Sequence, residues 1–142
     1  MTEPAAIFDT STKAGAQAVQ RLKQEPVIWL TTVRADGQPQ SSPVWFDWNG
    51  SDLLVFSQPG AGKVRNITGR PLVAAHLADD EGSDVVTIEA RAELGTELTD
   101  AEAESYLDKY ATRIEAIGLT PESMRASYSA VLRLRPSRVR IY

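Results

Sequence analysis

The chain has 142 residues, enough for one domain, and its 15 Lys and Arg against 19 Asp and Glu leave a formal charge of −4, which argues against a nucleic-acid partner. It has no cysteine and a single histidine, His76, so disulfides, thiolate catalysis, thiolate metal sites and His-rich zinc sites are all excluded. With 42% apolar residues it can bury a core, but its acid–base equipment is so sparse that any redox or transfer chemistry falls to a cofactor.

Residues 1–10 carry neither a basic leader nor an apolar run, and read as a flexible segment ahead of one domain spanning 1–142. No stretch approaches the ~20 apolar residues of a membrane span, so the expectation is a cytoplasmic protein with no membrane partner. Asn49-Gly50-Ser51 and Asn66-Ile67-Thr68 are then accidental glycosylation triplets.

Residues 12–25 have the spacing of an amphipathic helix, with Ala14, Ala18, Val19 and Leu22 on its dry side. Ser11 or Thr12 can cap it, and Pro26 ends it. Val27 to Val33 is a β-branched, nearly apolar run, expected to be a strand covered on both faces. Asp36-Gly37 supplies a hairpin turn into a partner strand from Pro39 to Trp48, and Asn49-Gly50 supplies a second turn into a strand from Asp52 to Ser57. The three strands are expected to form a meander. On the middle one, Gln40, Ser42, Val44, Phe46 and Trp48 share one face, while Ser41, Pro43, Trp45 and Asp47 share the other.

A loop from Gln58 to Gly62 leads into a short helix over 63–68, followed by strands at 72–78 and 85–94, with an acidic loop at 79–84 between them. Thr99 and Glu102 form a capping box, and Ala103, Tyr106, Leu107, Tyr110, Ala111, Ile114 and Ile117 make a helical stripe ending at Gly118. Thr120-Pro121 opens another short helix, and the last strand, 129–142, is interrupted at Pro136, which implies an edge or a bulge. Six strands without regular β–α alternation point to an antiparallel barrel, mainly β, with flanking helices.

Two phosphate motifs fail on inspection. Gly60-Ala61-Gly62-Lys63-Val64 lacks the first glycine and the hydroxyl residue of a P-loop, and the third glycine of a dinucleotide fingerprint would be Arg65. On looser grounds, the segment from Ser57 to Arg70, with its hydroxyl, two glycines, Lys63, Arg65 and a helix start, can hold an anion; the plainer reading is a solvated basic turn. In Ser41-Ser42-Pro43-Val44-Trp45, proline and tryptophan on one face suit a planar ring, or Trp45 simply packs under a helix or at a dimer interface. Arg133, Arg135, Arg138 and Arg140 can grip a polyanion or pair with acids. His76, inside an apolar strand, reads as a core residue, and the acids of the 99–117 helix read as a wet face.

The blocks PQSSPVWFDW, LLVFSQPGAGKVRNI and RPLVAAHL, in this order after an Asp-Gly turn, resemble the pyridoxamine 5'-phosphate oxidase-like split-barrel superfamily. The similarity covers residues 25–95 and the closing LRLRPSRVRIY, and within the superfamily the chain looks like the oxidoreductases that use the deazaflavin coenzyme F420. That resemblance implies a six-stranded split β-barrel like the FMN-binding proteins, a homodimer with the cofactor at its interface, and hydride transfer to a small electrophilic or unsaturated substrate. Residue by residue, it implies that Lys63, Asn66 and Arg65, helped by Ser57, contact the cofactor phosphate. Ser41, Ser42, Pro43, Val44 and Trp45 would border the ring, with Thr31 and Thr32 beside it. It assigns no catalytic side chain and no metal, and the last-strand arginines are offered to a polyglutamate tail. The alternatives are an FMN-dependent enzyme and a non-catalytic flavin, deazaflavin or haem binder.

Overall fold

The structure, a computed structural model, describes residues 6–78, 81, 84–95 and 97–142. Helix α1 (Lys13–Gln24) is capped by Thr12, whose hydroxyl accepts the Gly15 N–H, and it ends at Glu25 ahead of Pro26. Its dry side is Gly15, Ala18 and Leu22; Ala14, expected inside, is exposed. A glycine is needed because a Cβ at position 15 would lie 1.9 Å from the Asp9 carbonyl oxygen. Ahead of α1, Phe8 is buried and meets Trp48 edge-on at 5.8 Å.

Strand β1 (Ile28–Val33) pairs with β2 (Pro39–Val44) through the expected hairpin, in which Gly37 takes the positive φ of 88°. Only one face of β1 is covered: Ile28, Leu30 and Thr32 are buried, while Trp29 is 43% exposed. The apolar run thus alternates after all, and its outer face stands open in the single chain.

The expected meander does not form. The segment 39–48 breaks into β2 and a short β3 (Asp47–Trp48), and β3 pairs with β4 (Leu53–Ser57) rather than continuing along β1. Helix α2 (Gly62–Gly69) follows, then β5 (Leu72–Leu77), β6 (Val86–Leu94), α3 (Asp100–Ala116), α4 (Pro121–Ser127) and β7 (Ala130–Ile141). One seven-stranded antiparallel sheet results, one strand more than expected, in the order β2-β1-β5-β6-β7-β4-β3. Its two edge strands are consecutive in sequence, so Trp45 and Phe46 carry the chain from one edge to the other and form the seam of the barrel.

The Pro136 interruption is a bulge: Glu89 faces Arg138 and Ala90 faces Pro136, leaving Ser137 unpaired. The expected capping box at Thr99/Glu102 is present, and a second one, beyond the helix start read at Thr120-Pro121, forms between Thr120 and Ser123. Two apolar clusters make the core. The larger fills the barrel beneath α1 and α2, and the smaller joins Phe56 to Tyr106, Tyr110, Ile114 and Met124 of α3 and α4. Ala111 and Ile117 of the predicted stripe are exposed.

Glu102 is not on a wet face. It accepts both Nη1 and Nη2 of Arg133 at 2.8 Å, with Asp52 3.3 Å from the same guanidinium. His76 is only half-buried, on the open face across from Trp29. Most of the predicted acidic loop (79, 80, 82 and 83) lies outside the described residues.

Candidate functional site

Helix α2 separates two clefts. The turn before it is tight: Ala61 N–H donates to the Gln58 carbonyl at 3.1 Å, and Arg65 Nη1 donates to the Gly60 carbonyl at 2.9 Å. That fold brings Lys63 near Ser57 at the end of β4, and no side chain caps the helix start, so its amides keep their affinity for an anion.

The first cleft has a volume of about 350 Å³, within the range of small-molecule sites. Pro43, Val44, Trp45, Ser57 and Lys63 line it. Phe56, Tyr106, Met124 and Tyr128 of the helical cluster line it as well. The Trp45 ring lies flat on Tyr110 at 4.6 Å with planes 4° apart, and Phe56 lies flat on Tyr106 at 4.0 Å. Such walls favour a planar ligand. Tyr106 Oη is fully buried, with the Phe56 backbone beside it. Burial, reinforced by Tyr110, pushes its phenol well above the usual range, so it remains a protonated donor. Flat aromatic side chains together with a lysine among the lining residues fit a ring cofactor carrying a phosphate.

The second cleft, about 640 Å³, lies across α2 and is lined by Arg34, Arg65, Arg70, Gln40 and Asn66 with Asp36. Asp36 engages Arg34, whose guanidinium holds its carboxyl down at about 2. Arg70 Nε donates to the Val33 carbonyl at 2.7 Å, and that bond neutralises no charge. Three guanidiniums against one carboxylate make this a cationic pocket on an acidic protein.

The structure gathers Pro43, Val44, Trp45, Ser57 and Lys63 at the first cleft, and Arg65 and Asn66 at the second. Thr32 is buried and accepts from Asn66 Nδ2 at 2.9 Å, a bond that fastens α2 to β1. Thr31 and Ser41 join hydroxyls at 2.7 Å on the open face, and Ser42, opposite Leu30, is half-buried; none of these four lines either cleft. Of the last-strand arginines, Arg133 pairs with Glu102 and Asp52, Arg135 with Glu93, and exposed Arg138 lies 3.9 Å from Glu89; neither these nor Arg140 line either cleft. Arg34, Tyr106 and Tyr128 escaped the sequence reading as site residues, and Arg70, which ends the segment read for an anion, had no role in it. Only the basic character of Arg34 and Arg70, flanking the two ends of the site in sequence, offered a signal.

The family model for pyridoxamine 5'-phosphate oxidase matches residues 14–142, and the chain belongs to that family. Among solved structures it is similar to an F420 reductase, at 27% identity and a TM-score of 0.66, over 85% of this chain and 94% of the other. Two others share the fold. A putative pyridoxamine 5'-phosphate oxidase from Listeria innocua is 22% identical with a TM-score of 0.67, over 89% of this chain and 95% of its own. A haem storage protein from Vibrio cholerae is 21% identical with a TM-score of 0.64, over 88% and 92%. Among curated proteins none matches significantly.

Proposed function

We propose that the chain binds reduced coenzyme F420, ring in the first cleft and acidic tail toward the second, and reduces a small unsaturated or electrophilic substrate. The observation that carries this reading is the pair of clefts on either side of α2. FMN needs only the first, since it ends at its phosphate, whereas a deazaflavin bearing a polyglutamate tail also uses three arginines. FMN is the alternative cofactor, and the relative named an F420 reductase supports the ranking. When bound, the deazaflavin supplies a hydride. Lys63, with the α2 amides and Ser57, holds the phosphate, and Pro43, Val44 and Trp45 orient the ring. Arg65, Asn66 and the newly found Arg34 and Arg70 face the tail. Thr31, Thr32, Ser41 and Ser42 act at one remove, or across a homodimer interface on the open face around Trp29. We place the protein in the cytoplasm.

A haem-binding reading finds less support, because the one histidine, His76, stands on the open face and lines neither cleft. The experiment that separates enzyme from carrier is oxidation of reduced F420 on adding a panel of enones and quinones. Turnover with any of them supports the reductase, and a bound coenzyme that never oxidises supports the non-catalytic carrier.

A further inference from the structure

Trp45 walls the first cleft, yet the sheet does not hold it. The ladder to β1 ends at Val44, and the ladder to β4 begins at Asp47. Between them, the backbone of Phe46 finds its partners on α3. Phe46 N–H donates to Tyr110 Oη at 2.8 Å. The Phe46 carbonyl accepts from Lys109 Nζ at 2.8 Å and lies 2.9 Å from Tyr110 Oη. The Pro26 carbonyl is 2.7 Å from the same phenol. One phenol proton cannot serve two carbonyls at once, so Lys109 covers Phe46 when Tyr110 turns to Pro26. The Lys109 ammonium also sits 3.9 Å from the centre of the Phe46 ring and 3.3 Å from the Leu22 carbonyl.

Tyr110 therefore performs two tasks with one side chain. Its hydroxyl pins the backbone of the seam, and its ring carries Trp45 face to face at 4.6 Å. It lines no part of the cleft itself. A phenylalanine would stack as well but would leave the Phe46 N–H without its partner.

We infer that Tyr110, backed by Lys109, is the positioning residue of the first cleft: α3 rather than the sheet sets where Trp45 stands, and so sets the slot a flat ring enters. The ring-affinity part of this rests on the cofactor reading above; the placement of Trp45 does not.

The test uses the full chain with Trp29→Phe and Trp48→Phe, so that Trp45 is the one remaining tryptophan of three. Adding Tyr110→Phe is expected to raise acrylamide quenching of Trp45 about twofold, weaken its near-ultraviolet dichroism, and loosen F420 binding about five-fold. Thr99→Ala, which uncaps the far end of the same helix, serves as the control for general loosening and is expected to leave the Trp45 signals alone. Unchanged quenching and dichroism in Tyr110→Phe would overturn the inference, as would an equal change in Thr99→Ala. If Tyr110→Phe does not fold, Lys109→Met, which removes the second donor to Phe46, is read by the same signals with the same criteria. Failure of the parent protein to bind F420 would count against the cofactor reading, and the Trp45 signals would still decide this one.

Discussion

Replacing Glu102 by glutamine is predicted to destabilise the protein strongly at neutral pH and scarcely at all in acid. Glu102 makes a two-pronged bond to Arg133, with both distances 2.8 Å and both side chains only 10% exposed. It also accepts the Thr99 N–H at 3.0 Å and Asn49 Nδ2 at 2.7 Å, so one carboxylate ties β7, the start of α3 and the turn before β4 together. The Arg133 guanidinium, with help from those amides, draws its pKa from 4.5 to about 2. A carboxyl depressed in the folded state stabilises fully above its unfolded pKa, and the gain is lost as pH falls from 4.5 toward 2. At about 1.4 kcal/mol per pH unit, that gain is about 3 kcal/mol. Glu102→Gln forfeits it while Asp52 still holds Arg133, so a loss of about 2–3 kcal/mol is expected near neutral pH, below the range for a buried charge left wholly alone. Urea unfolding across the acid range is the assay. The wild-type midpoint should fall steeply below about pH 5 and meet that of the variant near pH 2. A variant within about 0.5 kcal/mol of wild type at neutral pH, or with the same acid slope, would refute the reasoning.

Lys63→Ala should weaken cofactor binding by about 1.5–3 kcal/mol, or ten- to a hundred-fold, in a fluorescence titration; equal affinity would remove Lys63 from the phosphate site. Arg65→Gln with Arg70→Gln should weaken F420 more than FMN and flatten the salt dependence of F420 binding, and equal losses for both cofactors would detach the second cleft from the tail. Lys109 titrates at about 8, pushed down by burial against the pull of Asp47 and Glu25. The unfolded chain then binds the extra proton between about 8 and 10.5, so stability should rise with pH over that span until about 10. Above that, Tyr106 and Tyr110, whose pKa values burial raises, reverse the trend. Thermal melts should show this alkaline gain in wild type and none in Lys109→Met.

The features legible from the sequence are local. Asp36-Gly37 and Asn49-Gly50 dictate their turns because each needs a positive φ, at 88° and 102°. The capping box at Thr99 and Glu102 and the bulge at Pro136, one of two readings offered there, follow from neighbouring residues in the same way. The seam was illegible for a physical reason: the alternation over 39–48 runs unbroken through Trp45 and Phe46, and alternation says which face a side chain takes, not which strand lies beside it. Val44, Phe46 and Trp48 are buried together as that pattern requires, although β2 and β3 lie at opposite edges.

The candidate site divides likewise. Ser57 and Lys63 line one cleft with Pro43, Val44 and Trp45, because a short turn returns α2 to the end of β4. Arg34 and Arg70 meet only after the β1–β2 hairpin and α2 pack, so spacing gave no hint of a shared pocket. Glu102 reads in sequence as a wet-face acid and Arg133 as open to a polyanion or to acids, since the partner each takes depends on how α3 packs on the sheet.

The measurement that bears most directly on the account is a side-by-side titration of the purified protein with F420 and FMN, followed by cofactor fluorescence and repeated with F420 lacking its glutamates. The two-cleft reading predicts that intact F420 binds tightest and that trimming its tail costs affinity. Tight FMN binding with none for F420 would contradict it.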